Sequence, residues 1–320
     1  MSTGFIIKPF SEFWMNCFLN SEISILTSRE PSFKYAAYLN DYRYMVAETK
    51  TNSPKKVQFV MVAFMNVVSH KYLDPCFSFT PFLFPDKNSG LEKIKELVKQ
   101  EKMIAVGVDL FYWIPNSFCY QKYHWDHYSV IIGMDEKRKV FYVLDDNLQG
   151  FNCFEVPEER FCQAFGSLSI NPAAFILDIA PDLKKFELNL TEVLFFAEKL
   201  SQELRNFDAE SLLNFNHPDI PSEVWFDLFV KYVYQVVSRQ TANILLFQAL
   251  YDQNQIRDSK FISEKKQQAN ALKMDWRNLE QMIVKYYRLS PDKLEPGQLY
   301  ERCDDLFQRE LEMWNQMLRL

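Results

Sequence analysis

His124-Trp125-Asp126-His127-Tyr128-Ser129-Val130-Ile131-Ile132-Gly133, then Met134 to Arg138, then Lys139-Val140-Phe141-Tyr142-Val143-Leu144-Asp145-Asp146-Asn147, is the stretch whose reading decides the fold. Both arms are rich in β-branched and aromatic residues, so each reads as a strand. The polar run Asp135-Glu136-Lys137-Arg138 between them reads as a turn. A turn centred on Glu136 sets His127 directly opposite Asp145. Odd-numbered residues share one face of such a ribbon, so the two side chains point the same way. An imidazole beside a carboxylate at the open end of a sheet is a common way to orient a catalytic base. The pair lacks a nucleophile, which has to come from elsewhere in the chain.

Around this hairpin lie 320 residues, 48% hydrophobic and 16% aromatic, enough for a large core and for two domains. A net charge of −6 argues against a nucleic-acid binder that relies on a basic field. The six cysteines, Cys17, Cys76, Cys119, Cys153, Cys162 and Cys303, form no C-x-x-C pair, so no zinc site and no other metal site is expected. Five of them read as small buried hydrophobes. The start of the chain has no basic-then-apolar signal pattern, and no apolar run is long enough to cross a membrane. These features predict a cytoplasmic protein with reduced thiols and no membrane partner.

Glycine use divides the chain. Gly4, Gly90, Gly107, Gly133, Gly150 and Gly166 precede residue 182, and only Gly297 follows it. Helix interiors avoid glycine, so residues 1–182 read as mixed α and β with an antiparallel sheet, and 183–320 as all-helical. Within the first part, Cys17 to Ser28 carries helical spacing, stopped by Arg29-Glu30-Pro31. Val57 to Val68 is a strand or a buried helix, between which periodicity does not decide. Gly90 to Gln100 is an amphipathic helix, and Met103 to Trp113 a strand buried on both faces. Val156-Pro157-Glu158-Glu159 starts another helix, and Pro172 to Ala180 is a last strand. Pro181-Asp182-Leu183 is the junction. Helices follow over Thr191 to Asn206, Ser222 to Gln253 (one or two), Ser259 to Arg288 and Leu299 to Leu318.

Cys17 stands where a nucleophile is needed. At a helix N-terminus the unpaired amides and the dipole favour thiolate over thiol. A buried structural cysteine is the alternative. Of the four histidines, His127 enters a strand opposite a carboxylate, whereas His124 lies further out and reads as a surface or packing residue. His70 and His217 have no partner that the sequence names. Asp146 points to the other sheet face, and Asn147 lies past the strand. Asp109, inside an apolar strand, needs a buried partner such as a tyrosine or a backbone amide. In the helical part Arg239, Asn243 and Gln248 interrupt an apolar stretch; they either reach a substrate or lie on a solvated face.

The segments Asn16-Cys17-Phe18-Leu19-Asn20-Ser21, Gly107-Val108-Asp109-Leu110-Phe111-Tyr112-Trp113, His127-Tyr128-Ser129-Val130-Ile131-Ile132-Gly133 and Val143-Leu144-Asp145-Asp146 resemble, in order and spacing, the butirosin-biosynthesis protein H family. The cysteine and His–Asp segments are shared with bacteriocin-processing papain-like peptidases. The resemblance covers most of residues 10–180 and extends to the helical half only as architecture. It implies a papain-like N-terminal domain followed by a helical domain. It implies acyl transfer from a carrier-protein thioester to an amine, in antibiotic or nonribosomal-peptide biosynthesis, with Cys17 as nucleophile, His127 as base and Asp145 as orienting acid. No bound cofactor is implied; the donor's phosphopantetheine arm belongs to the substrate. The papain-type glutamine six residues before the nucleophile is replaced by Ser11, which leaves the Cys17 amide and the Asn16 side chain as candidate oxyanion donors. Tyr112, Trp113 and Trp125 are candidate walls of the substrate pocket, with plain core as the alternative. A cysteine peptidase or amidase, and a binding module with an inactive triad, are the rival expectations.

Overall fold

A computed structural model describes residues 2–39, 42–44, 46–50, 58–62, 71–84, 86–170, 174–207, 222–289 and 296–320. His70 and His217 lie outside the described residues. The protein is α+β, and its chain divides into two compact units. The first is Met1–Ala36 with Ser69–Phe186, the second Ala37–Val68 with Glu187–Leu320. Residues 37–68, which the sequence reading assigns to 1–182, thus belong with the helical part.

The first unit is built on an antiparallel sheet. Its strands are β1 (Ser2–Gly4), β4 (Phe77–Phe82), β5 (Met103–Asp109), β6 (Asp126–Asp135), β7 (Val140–Asn147), β8 (Gly150–Pro157) and β9 (Ala174–Ile179). The order is β4-β9-β5-β6-β7-β8, with β1 on the far end of β6. Three helices accompany it, α1 (Cys17–Arg29), α3 (Lys87–Lys99) and α4 (Glu158–Gly166). A short α2 (Lys34–Tyr38) carries the chain into the second unit. Ile94, Leu97 and Val98 of α3 and Phe161, Ala164 and Phe165 of α4 close over Ile104, Val106, Val108, Ile131 and Val143 to form the core.

The strand read over Met103 to Trp113 ends earlier, at Asp109. The Asp109 carboxylate accepts from the Phe111 amide (3.0 Å), which bends the chain out of the ladder. Strands β4 and β8 are not foreseen: Ser78 to Pro81 of β4 are exposed, and β8 follows β7 with only a two-residue break.

The central hairpin forms with a shifted register. Asp135 Oδ1 accepts from the amides of Lys137 (3.0 Å) and Arg138 (3.2 Å), and Lys139 adopts a left-handed φ of 52°, so the turn runs later than Glu136. Near the turn Met134 faces Phe141 and Gly133 faces Tyr142; past a bulge at Ile132, Ile131 faces Val143 and Val130 faces Leu144. Continuing by one pair puts Ser129, not His127, across from Asp145. The bulge decides the side: an unbroken ladder would run Val130 onto Asp145, with the opposite parity. The extra residue turns Ser129 and His127 together onto the Asp145 face, where His127 is a diagonal neighbour of Asp145.

The second unit contains a two-stranded ladder of β2 (Val46–Lys50) with β3 (Gln58–Val62), which resolves Val57 to Val68 as strand where it is described. Its helices are α5 (Leu190–Asn206), α6 (Ser222–Asp252), α7 (Ser259–Leu289) and α8 (Pro296–Met317). α6 is one continuous helix packed on α7, and α5 packs on α8. Among the described residues no helix is long and apolar enough to cross a membrane.

A buried polar cluster holds residues 42–44 in this unit. Glu310, fully buried on α8, accepts from the hydroxyls of Tyr42 (2.6 Å) and Tyr44 (2.7 Å) and from Gln240 Nε2 (2.8 Å). Asn243 Nδ2 donates to the Tyr42 hydroxyl at 3.0 Å. Arg239 is buried, with its guanidinium 5.5 Å from the centre of the Tyr42 ring. Arg239 and Asn243 are therefore core residues and not a solvated face; Gln248, bonded to Lys266 and Asp252, is the partly exposed one.

Candidate active site

α1 places Cys17. Asn16, in extended conformation, caps the helix by accepting the Leu19 amide on Oδ1 at 2.8 Å, so Cys17 is the first helical residue. The preceding segment is tied back onto the helix. Asn20 Oδ1 accepts from the Met15 amide (2.7 Å), its Nδ2 donates to the carbonyls of Phe13 (3.0 Å) and Phe10 (3.3 Å), and Ser24 Oγ accepts from the Phe10 amide (2.8 Å). Trp14 Nε1 donates to Asp146 Oδ2 at 2.5 Å, fastening the lead-in to β7. These bonds fix the approach of the sulfur to the sheet.

Cys17 Sγ lies 2.6 Å from His127 Nε2 and 3.7 Å from Nδ1. Asp145 Oδ1 lies 3.8 Å from His127 Nε2, beyond hydrogen-bond length but well within electrostatic reach. Cys17, His127 and Asp145, drawn from three distant parts of the chain, are thus brought together. Cys17 is 7% exposed, whereas 21% of the His127 side chain remains open. Asp145 is only 1% exposed. Its Oδ1 accepts its neighbour's amide, Asp146 N, at 2.8 Å, and its Oδ2 accepts from Trp113 Nε1 at 2.7 Å and from Ser129 Oγ.

Burial pushes the Cys17 thiol up; His127 pulls it down, and the charges of Asp146 and Asp145 add to the upward push. Burial by itself lowers His127, but Cys17 and Asp145 more than reverse this and hold the imidazole well above the usual histidine range. Burial is the largest influence on the sulfur, whereas on the ring the neighbouring sulfur and carboxylate outweigh it. At 2.6 Å, His127 Nε2 is placed to take the Cys17 proton when the sulfur attacks.

The oxyanion candidates are the Cys17 amide, one of the orphan N–H groups of a helix start, and Asn16. Because Asn16 Oδ1 is engaged in the cap, Nδ2 is the donor it has to offer. The proposed pocket walls separate. Trp113 is wholly buried, packed on Phe161 and bonded to Ser129 and Asp145, so it backs the acid and does not line a pocket. Tyr112 is half-buried and Trp125 is 37% exposed. His124 is an exposed residue with a packing contact: its ring stacks on Phe111 at 4.3 Å and Nδ1 bonds Asp109 Oδ2 at 2.7 Å. Asp109 also accepts from the Trp125 amide (3.2 Å), so this pair organises the 110–125 loop. Of the other cysteines, Cys76, Cys119 and Cys303 are buried, Cys153 is half-buried and Cys162 is exposed.

Sequence reasoning missed Ser129, Asn20 and Trp14. Ser129 is the findable one: a small hydroxyl inside an apolar strand, two residues from the histidine, signals a buried polar partner. The sulfur, a ring nitrogen and a carboxylate oxygen lie within 4.8 Å of one another, but the 2.6 Å Sγ–Nε2 contact is too close for both to be ligands of one tetrahedral zinc ion. No protein-family model matches the chain, and no curated protein matches it.

Proposed function

We propose that the first unit is a papain-like, cysteine-dependent acyltransferase that moves an acyl group from a carrier-protein thioester to an amine. The observation that carries this reading is the 2.6 Å contact of Cys17 Sγ with His127 Nε2 at a helix N-terminus, with a buried carboxylate oxygen 3.8 Å from the same ring nitrogen. The classes of donor and acceptor, the papain-like identity and a setting in cytoplasmic antibiotic or nonribosomal-peptide biosynthesis rest on the motif resemblance. No resident cofactor enters the scheme.

The Cys17 proton passes to His127, and the thiolate attacks the thioester carbonyl of a phosphopantetheine-linked acyl group. The C–S bond to the carrier breaks, and the carrier thiol leaves with the proton from His127. The amine then attacks the acyl-cysteine, His127 takes the amine's proton, and Cys17 is released as thiolate. Asp145 stabilises the imidazolium, and the Cys17 amide with Asn16 Nδ2 faces the developing oxyanion. Thioester exchange is nearly balanced in energy, so no activating cofactor is needed for the first half.

The exposed part of His127 supports a second reading, a cysteine peptidase or amidase in which water is the final acceptor. Incubation with a model acyl thioester and a primary amine separates the two. Amide formed at the expense of acid supports the transferase, and acid alone supports the hydrolase. Cys17→Ala and His127→Ala, checked for folding by circular dichroism, should abolish either product. Retained turnover in either variant rejects the triad.

A further inference from the structure

We propose that Ser129 and Trp113 are positioning residues that hold the Asp145 carboxylate in the one orientation in which it can support the protonated His127 ring. The proposal rests on the acyl-transfer reading of the same site. The two oxygens of Asp145 have different duties. Oδ2 is anchored: Trp113 Nε1 donates to it at 2.7 Å, Ser129 Oγ donates to it, and the same indole N–H lies 2.7 Å from Ser129 Oγ, closing a three-membered ring of bonds. Oδ1 is presented: it accepts the Asp146 amide and is the oxygen 3.8 Å from His127 Nε2. A carboxylate with one oxygen fixed by two donors cannot swivel about its Cβ–Cγ bond, so the face turned to the ring is set by Ser129 and Trp113.

The clamp is itself rigid. Trp113, Ser129 and Asp145 are all at most 1% exposed. The indole packs on Phe161 of α4, and Ser129 is held in β6 opposite Val106 of β5. Because all three side chains are buried, removing either donor leaves the Asp145 oxygen short of a partner and frees the acid to turn. In both cases the support for the imidazolium weakens, and the proton returns to sulfur.

The test is the pH profile of Cys17 alkylation by iodoacetamide, in which the thiolate displaces iodide, read by peptide mass spectrometry with exposed Cys162 as internal comparator. Ser129→Ala removes the hydroxyl, and Trp113→Phe removes the N–H but keeps a ring. Ser129→Thr keeps the hydroxyl on a β-branched residue that suits a strand. An opposite charge in reach of a titrating group moves it by about one to three units, so a misdirected acid should slow Cys17 labelling at pH 6 about tenfold or more. Ser129→Thr should stay near wild type, and Cys162 should not change. Either of the first two variants suffices if it folds, as judged by circular dichroism. A folded Ser129→Ala or Trp113→Phe whose profile overlays wild type overturns the clamp and leaves the acyl-transfer reading standing. A wild-type protein whose Cys17 reacts no faster than Cys162 at pH 6 removes that reading and the clamp with it.

Discussion

Glu22 lies on α1, five residues past Cys17, and is 3% exposed. Burial, with a smaller push from the charge of Asp74, raises its carboxyl to about 8. An unfolded glutamate titrates near 4.3. Below that value both states are protonated and Glu22 has no pH-dependent effect. Above it the folded state holds a proton that the unfolded state has released, so stability present at low pH is lost as pH rises through 8. At about 1.4 kcal/mol per unit, the loss approaches about 4 kcal/mol at pH 7 and about 5 kcal/mol above pH 8. Local relaxation that halves this still leaves about 2 kcal/mol. Glu22→Gln keeps the shape and removes the titration. Urea midpoints of wild type and variant at pH 4.5, 7 and 8.5, with hydrogen exchange of α1 peptides as local reporter, measure the difference. The variant should match wild type within about 1 kcal/mol at pH 4.5 and exceed it by about 2 to 5 kcal/mol at pH 8.5. A difference that is flat with pH, or a variant less stable than wild type at pH 8.5, refutes the reasoning.

Three further outcomes are expected. His127→Ala removes the base beside a thiol already raised by burial, so Cys17 alkylation at pH 7 should fall severalfold or more, measured against Cys162. Glu310→Ala strands two tyrosine hydroxyls and the Gln240 amide inside the second unit and should destabilise it by about 3 to 5 kcal/mol in urea denaturation, without altering Cys17 labelling. Asp145→Asn removes the charge beside the ring and should slow Cys17 alkylation at pH 6 severalfold, measured against Cys162.

Much of the site was legible because its residue types break local rules. A histidine entering an aromatic strand, acids at the end of its partner and a cysteine at a helix start each stand out from an apolar background. The parity argument placed His127 and Asp145 on one face, but through the wrong pairing. Turn length and the Ile132 bulge both displaced the register, and only their combination kept the parity. A bulge leaves no mark in an apolar run such as Val130-Ile131-Ile132. Trp113 was read as a wall because its ring is large and apolar; that its N–H is the partner of a buried acid depends on a contact across 32 residues. Arg239 and Asn243 are ambiguous for the same reason, since their shared partner Tyr42 lies far earlier in the chain. The bonds of Tyr42 and Tyr44 to Glu310 tie residues 42–44 to the helical unit, which glycine counts do not see.

The most direct test of the central claim is intact-mass analysis after mixing the protein with an acyl N-acetylcysteamine thioester and quenching in acid. The account predicts a single added acyl mass that maps to Cys17, is absent in Cys17→Ala and is discharged by an amine. No adduct, or one spread over Cys162 and the other cysteines with Cys17 unmodified, would contradict it.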